Sequence, residues 1–272
     1  MSYSPILTAS GYGGWAFLKR TMVAQTRAFN ASSDLKRDED YFRASIGKIN
    51  SAAELVADRR LLKVALGAFG LDSDINSKAF IQKVLEGGTL KVGTLANRLA
   101  DKQYQKFSAA FGFGDFAVPR SKLSDFPEKI IAAYRARQFE VAVGAQNGDL
   151  RLALNLEREL SGIAARSTSS EDAKWFTIMG NAPLRKVFEK ALGLPASLGT
   201  LDLDQQLGVF KEKAETQLGS RSITQFTDPA KVQKLIQRFL VRAEAEALQG
   251  QIGAGASALT LMQQSVDLAR RR

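Results

Sequence analysis

Residues 55–71 read LVADRRLLKVALGAFGL, and their pattern indicates the fold class of the protein. Asp58 carries the short acceptor side chain that satisfies the first free amides of a helix. Gly70 is placed to end the same helix in the left-handed conformation. Between them the apolar residues recur at helical spacing on one face, namely Leu61, Leu62, Ala65, Leu66 and Phe69. The stretch therefore predicts a capped amphipathic helix whose apolar face packs against a core.

Similar helical patterns, separated by glycine, asparagine and proline, fill nearly all of the chain. Ser51 and Glu54 have the spacing of a capping box, in which the serine oxygen accepts a hydrogen bond from the third helical amide. No segment combines sustained alternation of apolar and polar residues with β-branched enrichment, the pattern of a half-buried strand. The sequence therefore predicts an all-α, multihelical protein.

A second stretch, residues 178–194, reads IMGNAPLRKVFEKALGL and aligns with residues 55–71 at an offset of 123 without a gap. Both contain an apolar pair, a helix cap, an amphipathic helix, a glycine stop and a final apolar residue. Chance and duplication both explain the pattern, because caps and stops are common. We favour duplication, which predicts two related helical subdomains packed together.

The polar stretch RSTSS at residues 166–170 is the best internal boundary. We therefore expect an N-terminal helical subdomain at residues 1–165, a C-terminal helical subdomain at 166–250, and a terminal helix or tail at 251–272. Three glycines between residues 250 and 255 predict a flexible joint before that last segment. The glycines within residues 11–14 predict a second joint near the N-terminus.

The 272 residues include no cysteine and no histidine. These absences exclude disulfides, thiolate or imidazole metal sites, and nucleophiles activated by histidine. Residues 72–76 resemble the opening of a calcium loop, but Lys83 occupies the position where a bidentate glutamate should close it. We expect no catalytic, cofactor-binding or metal-binding residues, and hence no enzyme. An enzyme that uses only Asp, Glu, Lys, Tyr or Ser stays open as an alternative.

The formal net charge is +10, with 38 basic and 28 acidic residues. A basic surface can bind nucleic acid, so a nucleic-acid-binding helical protein is the alternative function. Acidic residues are interspersed among the basic ones, however, and dispersed charge favours an ordinary solvated surface. No apolar run reaches the roughly 20 residues of a membrane span, so we expect no membrane insertion. The first ten residues also lack the basic and apolar blocks of a secretory signal peptide.

Amphipathic helices near both termini carry apolar stripes of the kind that bind in a partner's groove. In the loop FGFGDF at residues 111–116, three aromatic residues cannot all face one side of a helix. That loop is either a plug that seals the core, which we favour, or a docking loop. The candidate partner-docking residues are Trp15, Leu18, Met22, Phe113, Phe116, Leu259, Met262 and Val266.

Several fragments carry a family resemblance when they are taken together in their order. They are SGYGGWAFLKRT, DYFRASIGKI, ADRRLLKVALGAFGLD, FIQKVLEGG, LANRLADKQYQKF, FGFGDF and RQFEVAVGAQNGDLRLALNLEREL. From Ser10 to about Arg158 the chain resembles a family of bacterial proteins known only as a domain of unknown function and often encoded among flagellar genes.

This resemblance implies a multihelical fold and brings no catalytic residues with it. It implies a non-enzymatic protein that is associated with the flagellum and has a structural, export or assembly role. Such a protein works through protein partners, for which flagellar components are the candidates. It also implies residence in the cytoplasm or export through the flagellar apparatus. The absence of cysteine suits both locations.

Overall fold

The computed structural model describes residues 3–270, with side chains described as far as residue 249 except at residue 196. Within this range the regular structure consists of α-helices and short 3-10 helices, without a strand, so the all-α prediction is confirmed. The helices α1 to α13 are, in chain order, Gly11–Asn30, Ser33–Ser45, Ala52–Ala57, Arg59–Phe69, Lys78–Gly87, Leu95–Arg98, Gln103–Phe111, Phe126–Gly144, Gly148–Ala164, Glu171–Met179, Ala182–Leu192, Leu203–Leu218 and Pro229–Arg270. The 3-10 helices are Ile46–Lys48, Asp72–Asn76, Arg120–Lys122, Ala196–Thr200 and Ile223–Thr227.

The start and the stop predicted for α4 are both present. The Asp58 carboxylate accepts hydrogen bonds from the amides of Arg60 at 2.9 Å and Leu61 at 3.0 Å. The Tyr41 hydroxyl donates to the other carboxylate oxygen at 2.6 Å. Burial alone would raise the pKa of Asp58, but the hydrogen bonds outweigh burial and lower it. At the other end Gly70 adopts the left-handed conformation with a φ of 73°.

The capping box in front of α3 is formed with one change of partner. Ser51 Oγ accepts a hydrogen bond from the Glu54 amide at 3.2 Å, as the spacing predicts. The Glu54 carboxylate reaches back one residue further and accepts from the Asn50 amide at 2.8 Å. Side chains therefore satisfy the Glu54 amide in the first turn and the Asn50 amide just before the helix.

The two stretches that align in sequence also end their helices in the same way. The Leu71 amide donates to the Leu66 carbonyl at 3.0 Å, and at an offset of 123 the Leu194 amide donates to the Glu189 carbonyl at 2.8 Å. The glycine before each donor has a positive φ, 73° in one stretch and 66° in the other. This is the same Schellman cap in both. Duplication as its origin stays a prediction.

The chain forms two compact units that are discontinuous in sequence. The first contains Phe17–Arg151 and Thr177–Ala182, with the N-terminal segment up to Thr8. The second contains Ala9–Ala16, Leu152–Phe176 and the chain from Pro183 onward. The predicted division at residues 165 and 166 falls within a segment of the second unit. That division, with its terminal segment at 251–272, stays a prediction.

The two expected glycine joints are wrong as descriptions of the backbone. Helix α1 begins at Gly11, so the N-terminal glycines form its first turn. Helix α13 runs from Pro229 to Arg270 and continues through the glycines between residues 250 and 255. Glycine weakens a helix by about 1 kcal/mol relative to alanine and does not forbid it.

The core of the first unit is built around α4, which packs against α8 and α2. Phe111, at the end of α7, contacts Phe107 and Phe126 edge to face, with ring centroids 5.1 and 5.0 Å apart. An ion pair links α2 to α8 beside this core. There the Arg135 guanidinium donates to both oxygens of the buried Glu39 carboxylate at 2.6 and 2.5 Å.

The second unit has its own aromatic core. Trp175 is fully buried, and its ring lies 5.5 Å from that of Phe188 and 5.9 Å from that of Phe210. The indole nitrogen of Trp175 donates to the Arg221 carbonyl at 2.8 Å. Because its indole N–H is hydrogen-bonded, Trp175 can be fully buried and stabilises the core of this unit.

Candidate functional site

Two of the predicted docking residues belong to the interior. Trp15 is 2% exposed and Leu18 is 0% exposed, so neither offers a surface to a partner. The Trp15 indole donates to the Gln233 side chain at 3.1 Å, a contact within the second unit. An apolar stripe on a helix shows that one face is covered, but it does not show what covers it. In α1 the protein itself covers these two residues.

The other predicted docking residues have different outcomes. Met22 is half-buried on α1. Leu259, Met262 and Val266 lie on α13, but their side chains fall outside the described residues. Phe113 and Phe116 lie in the loop after α7, which contains the candidate site.

The aromatic residues of the FGFGDF loop divide between the two interpretations given above. Phe111 is fully buried, and half-buried Phe113 stacks on it with ring centroids 5.8 Å apart. These two residues act as the plug. Phe116 is 41% exposed, and the Arg120 guanidinium lies 4.8 Å above its ring. Phe116 therefore leaves the core and joins the protein surface.

A close backbone approach fixes the loop against the end of α5. The backbone of Gly114 lies directly against the carbonyl of Glu86 and the amide of Gly88. A Cβ at position 114 would overlap these backbone atoms, so the sequence needs glycine there. The second half of the FGFGDF loop is thereby placed beside residues 88–93.

Asp115 joins the same two segments by hydrogen bonds. Its carboxylate accepts from the Thr89 amide at 2.7 Å, the Thr89 hydroxyl at 2.8 Å and the Leu90 amide at 2.9 Å. Burial pushes the pKa of Asp115 upward, but these hydrogen bonds and the nearby Arg120 lower it overall. The carboxylate therefore stays ionised and works as a clamp between the loops.

Around this clamp the structure exposes large apolar side chains. Of the twelve large hydrophobic residues that are exposed among the described side chains, five lie in residues 88–93 and 113–123, namely Leu90, Val92, Phe116, Val118 and Leu123. We call these two segments together the loop surface. Exposed apolar residues scattered singly are ordinary, whereas a group of them marks an interaction site.

The loop surface contains a cleft of about 410 Å³. Its lining consists of Phe116, Val118, Pro119, Arg120, Lys122 and Leu123. Two hydrogen bonds anchor this segment: Ser121 Oγ donates to the Ile49 carbonyl at 3.2 Å, and Lys122 Nζ donates to the Gly47 carbonyl at 2.9 Å. The cleft is open to solvent and lies in the first unit, and its lining combines apolar side chains with Arg120 and Lys122.

The chain around the loop surface is strongly basic. Residues 78–122 contain eight Lys and Arg residues against three Asp and Glu residues. All three acids accept hydrogen bonds from residues of this same segment. Glu86 accepts from Gln82, Asp101 accepts from the Gln103 amide, and Asp115 accepts from Thr89. Elsewhere many cations are paired with acids, as in Lys63 with Asp38 at 2.6 Å. The segment of chain that includes the loop surface is thus more basic than the rest of the chain.

The sequence reasoning missed most of this surface. Leu90, Val92, Val118 and Leu123 do not follow a helical period, and they stand beside glycine or proline in TLKVG and FAVPRSKL. Apolar residues at irregular spacing next to turn residues and cations were the available signal. Thr89, which donates a hydrogen bond to Asp115, is 26 residues away in sequence, and no local pattern indicates that hydrogen bond.

The other sequence candidates have structural partners. Asp72 accepts a hydrogen bond from the Gln138 side chain at 2.9 Å, and Asp74 accepts from the Tyr104 hydroxyl at 2.7 Å. Burial and Asp74 together raise the pKa of Tyr104. Among the described residues no group of three or more Asp and Glu side chains is placed to hold a metal ion. None of the helices that the structure describes is long and apolar enough to cross a membrane.

Comparison with known proteins gives a family and a fold. Residues 68–232 match the family described as Protein of unknown function (DUF1217). The X-ray crystal structure of protein AGR_C_984 from Agrobacterium tumefaciens is similar, with a TM-score of 0.72 and 24% sequence identity over 90% of this chain and 99% of that one. This likeness shows the same fold. No curated protein matches the chain.

Proposed function

We propose that this chain, which belongs to the DUF1217 family, is a non-enzymatic interaction protein that binds a partner protein through the loop surface. The observation that carries the proposal is the group of five exposed apolar side chains on the loop surface, three of which, Phe116, Val118 and Leu123, line the cleft. The sequence resemblance described above supplies the setting. We accordingly propose a structural, export or assembly role among flagellar components.

The energetics of the loop surface support binding. Burying apolar area releases about 25 cal/mol per Å², so covering several large side chains supplies several kcal/mol. Loops that must be ordered on binding lose part of that gain. Here the Asp115 clamp and the close approach of Gly114 already hold the two segments together. The surface therefore meets a partner in a preorganised form.

The test is a crosslinked capture of the tagged protein from its own cells, with mass spectrometry of the captured proteins. Three forms are compared: the wild type, the double variant Phe116→Ser with Val118→Ser, and a control with Val23→Ser and Val241→Ser. Both control positions are exposed and lie outside the loop surface. We expect rod, hook, export or motor components with the wild type and the control, and their loss with the double variant. Equal enrichment by all three forms, or enrichment of unrelated enzymes, would contradict the proposal.

Nucleic-acid binding is the second candidate, and the basic segment at residues 78–122 favours it. Binding to phosphates releases counterions, so the affinity for duplex DNA would fall steeply with salt. The measurement is retention on heparin and on duplex DNA at low and moderate salt. Absence of retention at low salt would remove this candidate.

A further inference from the structure

This inference rests on the proposed function and concerns the chemistry of the partner. We infer that the segment which binds the loop surface is an acidic peptide segment of another protein. One of its apolar side chains fills the cleft lined by Phe116 and Leu123, and its Asp or Glu residues face Lys91, Arg120 and Lys122.

Positively charged side chains lie at the cleft and on the neighbouring segment. Arg120 and Lys122 line the cleft itself, and the Arg120 guanidinium covers one face of the Phe116 ring. Lys91 is exposed between the exposed side chains of Leu90 and Val92. A side chain that enters the cleft therefore brings its flanking residues next to positive charge.

Along residues 78–122 the basic residues outnumber the acidic ones, eight to three. Asp115 is near enough to Arg120 for the guanidinium to lower its pKa, so this carboxylate offsets part of the positive charge while it also holds Thr89 and Leu90. Glu86 accepts from Gln82, and Asp101 accepts from the backbone of Gln103. Complementary charge across an interface selects the partner, so the missing acids belong to the partner.

The shape of the site also bears on the partner. Concave apolar walls with an aromatic and an arginine are the usual surroundings of an anchoring side chain in a protein interface. The phosphate backbone of a nucleic-acid duplex would use Arg120 and Lys122 but would leave Phe116, Val118 and Leu123 in water. A flat lipid surface would leave the cleft unfilled. A peptide with both an apolar anchor and acids satisfies all of these groups.

The test selects peptides from a random library, about 16 residues long, on the full-length protein. We expect the enriched peptides to carry an excess of Asp and Glu together with a Leu, Ile, Met or Phe. Their affinity should fall at least ~10-fold in the variant Lys91→Glu, Arg120→Glu, Lys122→Glu because opposite charges become like charges. The matched control changes Lys36, Lys213 and Lys234 to Glu, three exposed lysines outside the loop surface, and should bind as the wild type does.

A charge-swapped peptide guards against misfolding of the triple variant. An enriched peptide whose acids are replaced by lysine should bind the triple variant better than the wild type, which an unfolded variant would not do. Peptides that need Phe116 and Leu123 but carry no acidic excess would overturn the acidic partner and leave the proposed function standing. Enriched peptides that bind Phe116→Ser, Leu123→Ser equally, or no enriched peptide, would contradict both.

Other occupants give their own signatures in the same set of proteins. Binding to phosphatidylglycerol vesicles or to duplex DNA that is stronger than peptide binding and lost in the triple variant would assign the surface to that ligand instead. A concentration-dependent dimer in sedimentation, lost in Phe116→Ser, Leu123→Ser, would assign it to a second copy of this chain. Each of these results would overturn the acidic peptide.

Discussion

The Asp115 carboxylate binds both the amide and the hydroxyl of Thr89, at 2.7 and 2.8 Å, across 26 residues of sequence. This contact joins the loop after α7 to the segment after α5. Together with the Leu90 amide, it sets the distance between the exposed apolar residues of the two segments. The shape of the loop surface therefore depends on the Asp115 side chain as well as on the close approach of Gly114, and Asp115 itself need not touch a partner.

Removing the clamp should weaken stability and binding together. We expect Asp115→Ala to lower the free energy of unfolding by about 2–3 kcal/mol, since hydrogen bonds to a charged group are worth roughly that much and two amides lose their acceptor. Urea denaturation measures the change. Asp101→Ala is the matched control. The Asp101 carboxylate accepts a hydrogen bond from the Gln103 amide, only two residues away, so it does not join two distant segments. An equal, small effect of both variants would show that Asp115 is not a clamp.

Position 114 tests the close approach of the loop to α5. A Cβ there overlaps backbone atoms of Glu86 and Gly88, which cannot move as a side chain can. We expect Gly114→Ala to destabilise the protein by about 2–3 kcal/mol, as overpacking does. Gly162→Ala, inside α9 with open space around it, should instead stabilise by about 0.5–1 kcal/mol. A stable Gly114→Ala protein that still binds its partner would contradict the preorganised loop.

The ion pair between Glu39 and Arg135 should contribute more than the exposed pair between Asp34 and Arg37. Glu39 is only 2% exposed and accepts two hydrogen bonds from Arg135, whereas both members of the other pair are exposed. We expect Arg135→Ala to cost about 2–3 kcal/mol because it leaves a buried carboxylate without its main donor. Arg37→Ala should cost about 0–1 kcal/mol. Thermal or urea unfolding of the two variants makes the comparison, and equal losses would refute it.

Acid sensitivity of the second unit should depend on Glu171. Burial would raise the pKa of this carboxyl, but hydrogen bonds from Thr224, Lys174, Ser222 and the Ile223 amide lower it to about 2. A lowered pKa in the folded state stabilises the protein above the ordinary value of 4.5, and this stabilisation is lost as the pH falls towards 2.

We therefore expect Glu171→Gln to be less stable than the wild type near neutral pH and to lose less stability on acidification. The measurement is the free energy of unfolding in urea at a series of pH values between about 5 and 2.5, the range in which an ordinary and a lowered carboxyl pKa differ. Parallel pH profiles of the wild type and the variant would contradict the role of Glu171.

Local signals in the sequence predicted much of the fold correctly. Asp58 and Gly70 act within one helical turn of themselves, so the residue types alone predict the cap and the stop. The helical period predicts the burial of four residues of the apolar face of α4, but Phe69 is only half-buried, and Val64 and Ala68 outside that face are buried too. The glycines after residue 249 misled the prediction because helix propensity is a weak, additive preference, and good helix formers on both sides outweigh it.

The candidate site was predicted only in part, for a physical reason. Phe116 was identified because three aromatics in a glycine-rich loop cannot share one helix face. Trp15 and Leu18 belong to an apolar helix face of the kind that a docking helix also has. The sequence does not distinguish an apolar face that packs inside its own protein from one that binds a partner. The clamp between Asp115 and Thr89 is a long-range contact, which no period or motif encodes.

We propose that a partner protein binds the loop surface in the cell. Because the chain has no cysteine, Val92→Cys introduces a single thiol that can carry a photoactivatable crosslinker next to Leu90 and Lys91. The same label at Val241→Cys, exposed on α13, is the control. We predict that illumination in extracts of the protein's own cells gives one defined adduct from position 92, identified as a flagellar component, which position 241 does not give. Identical adducts from both positions, or none from position 92, would contradict the account.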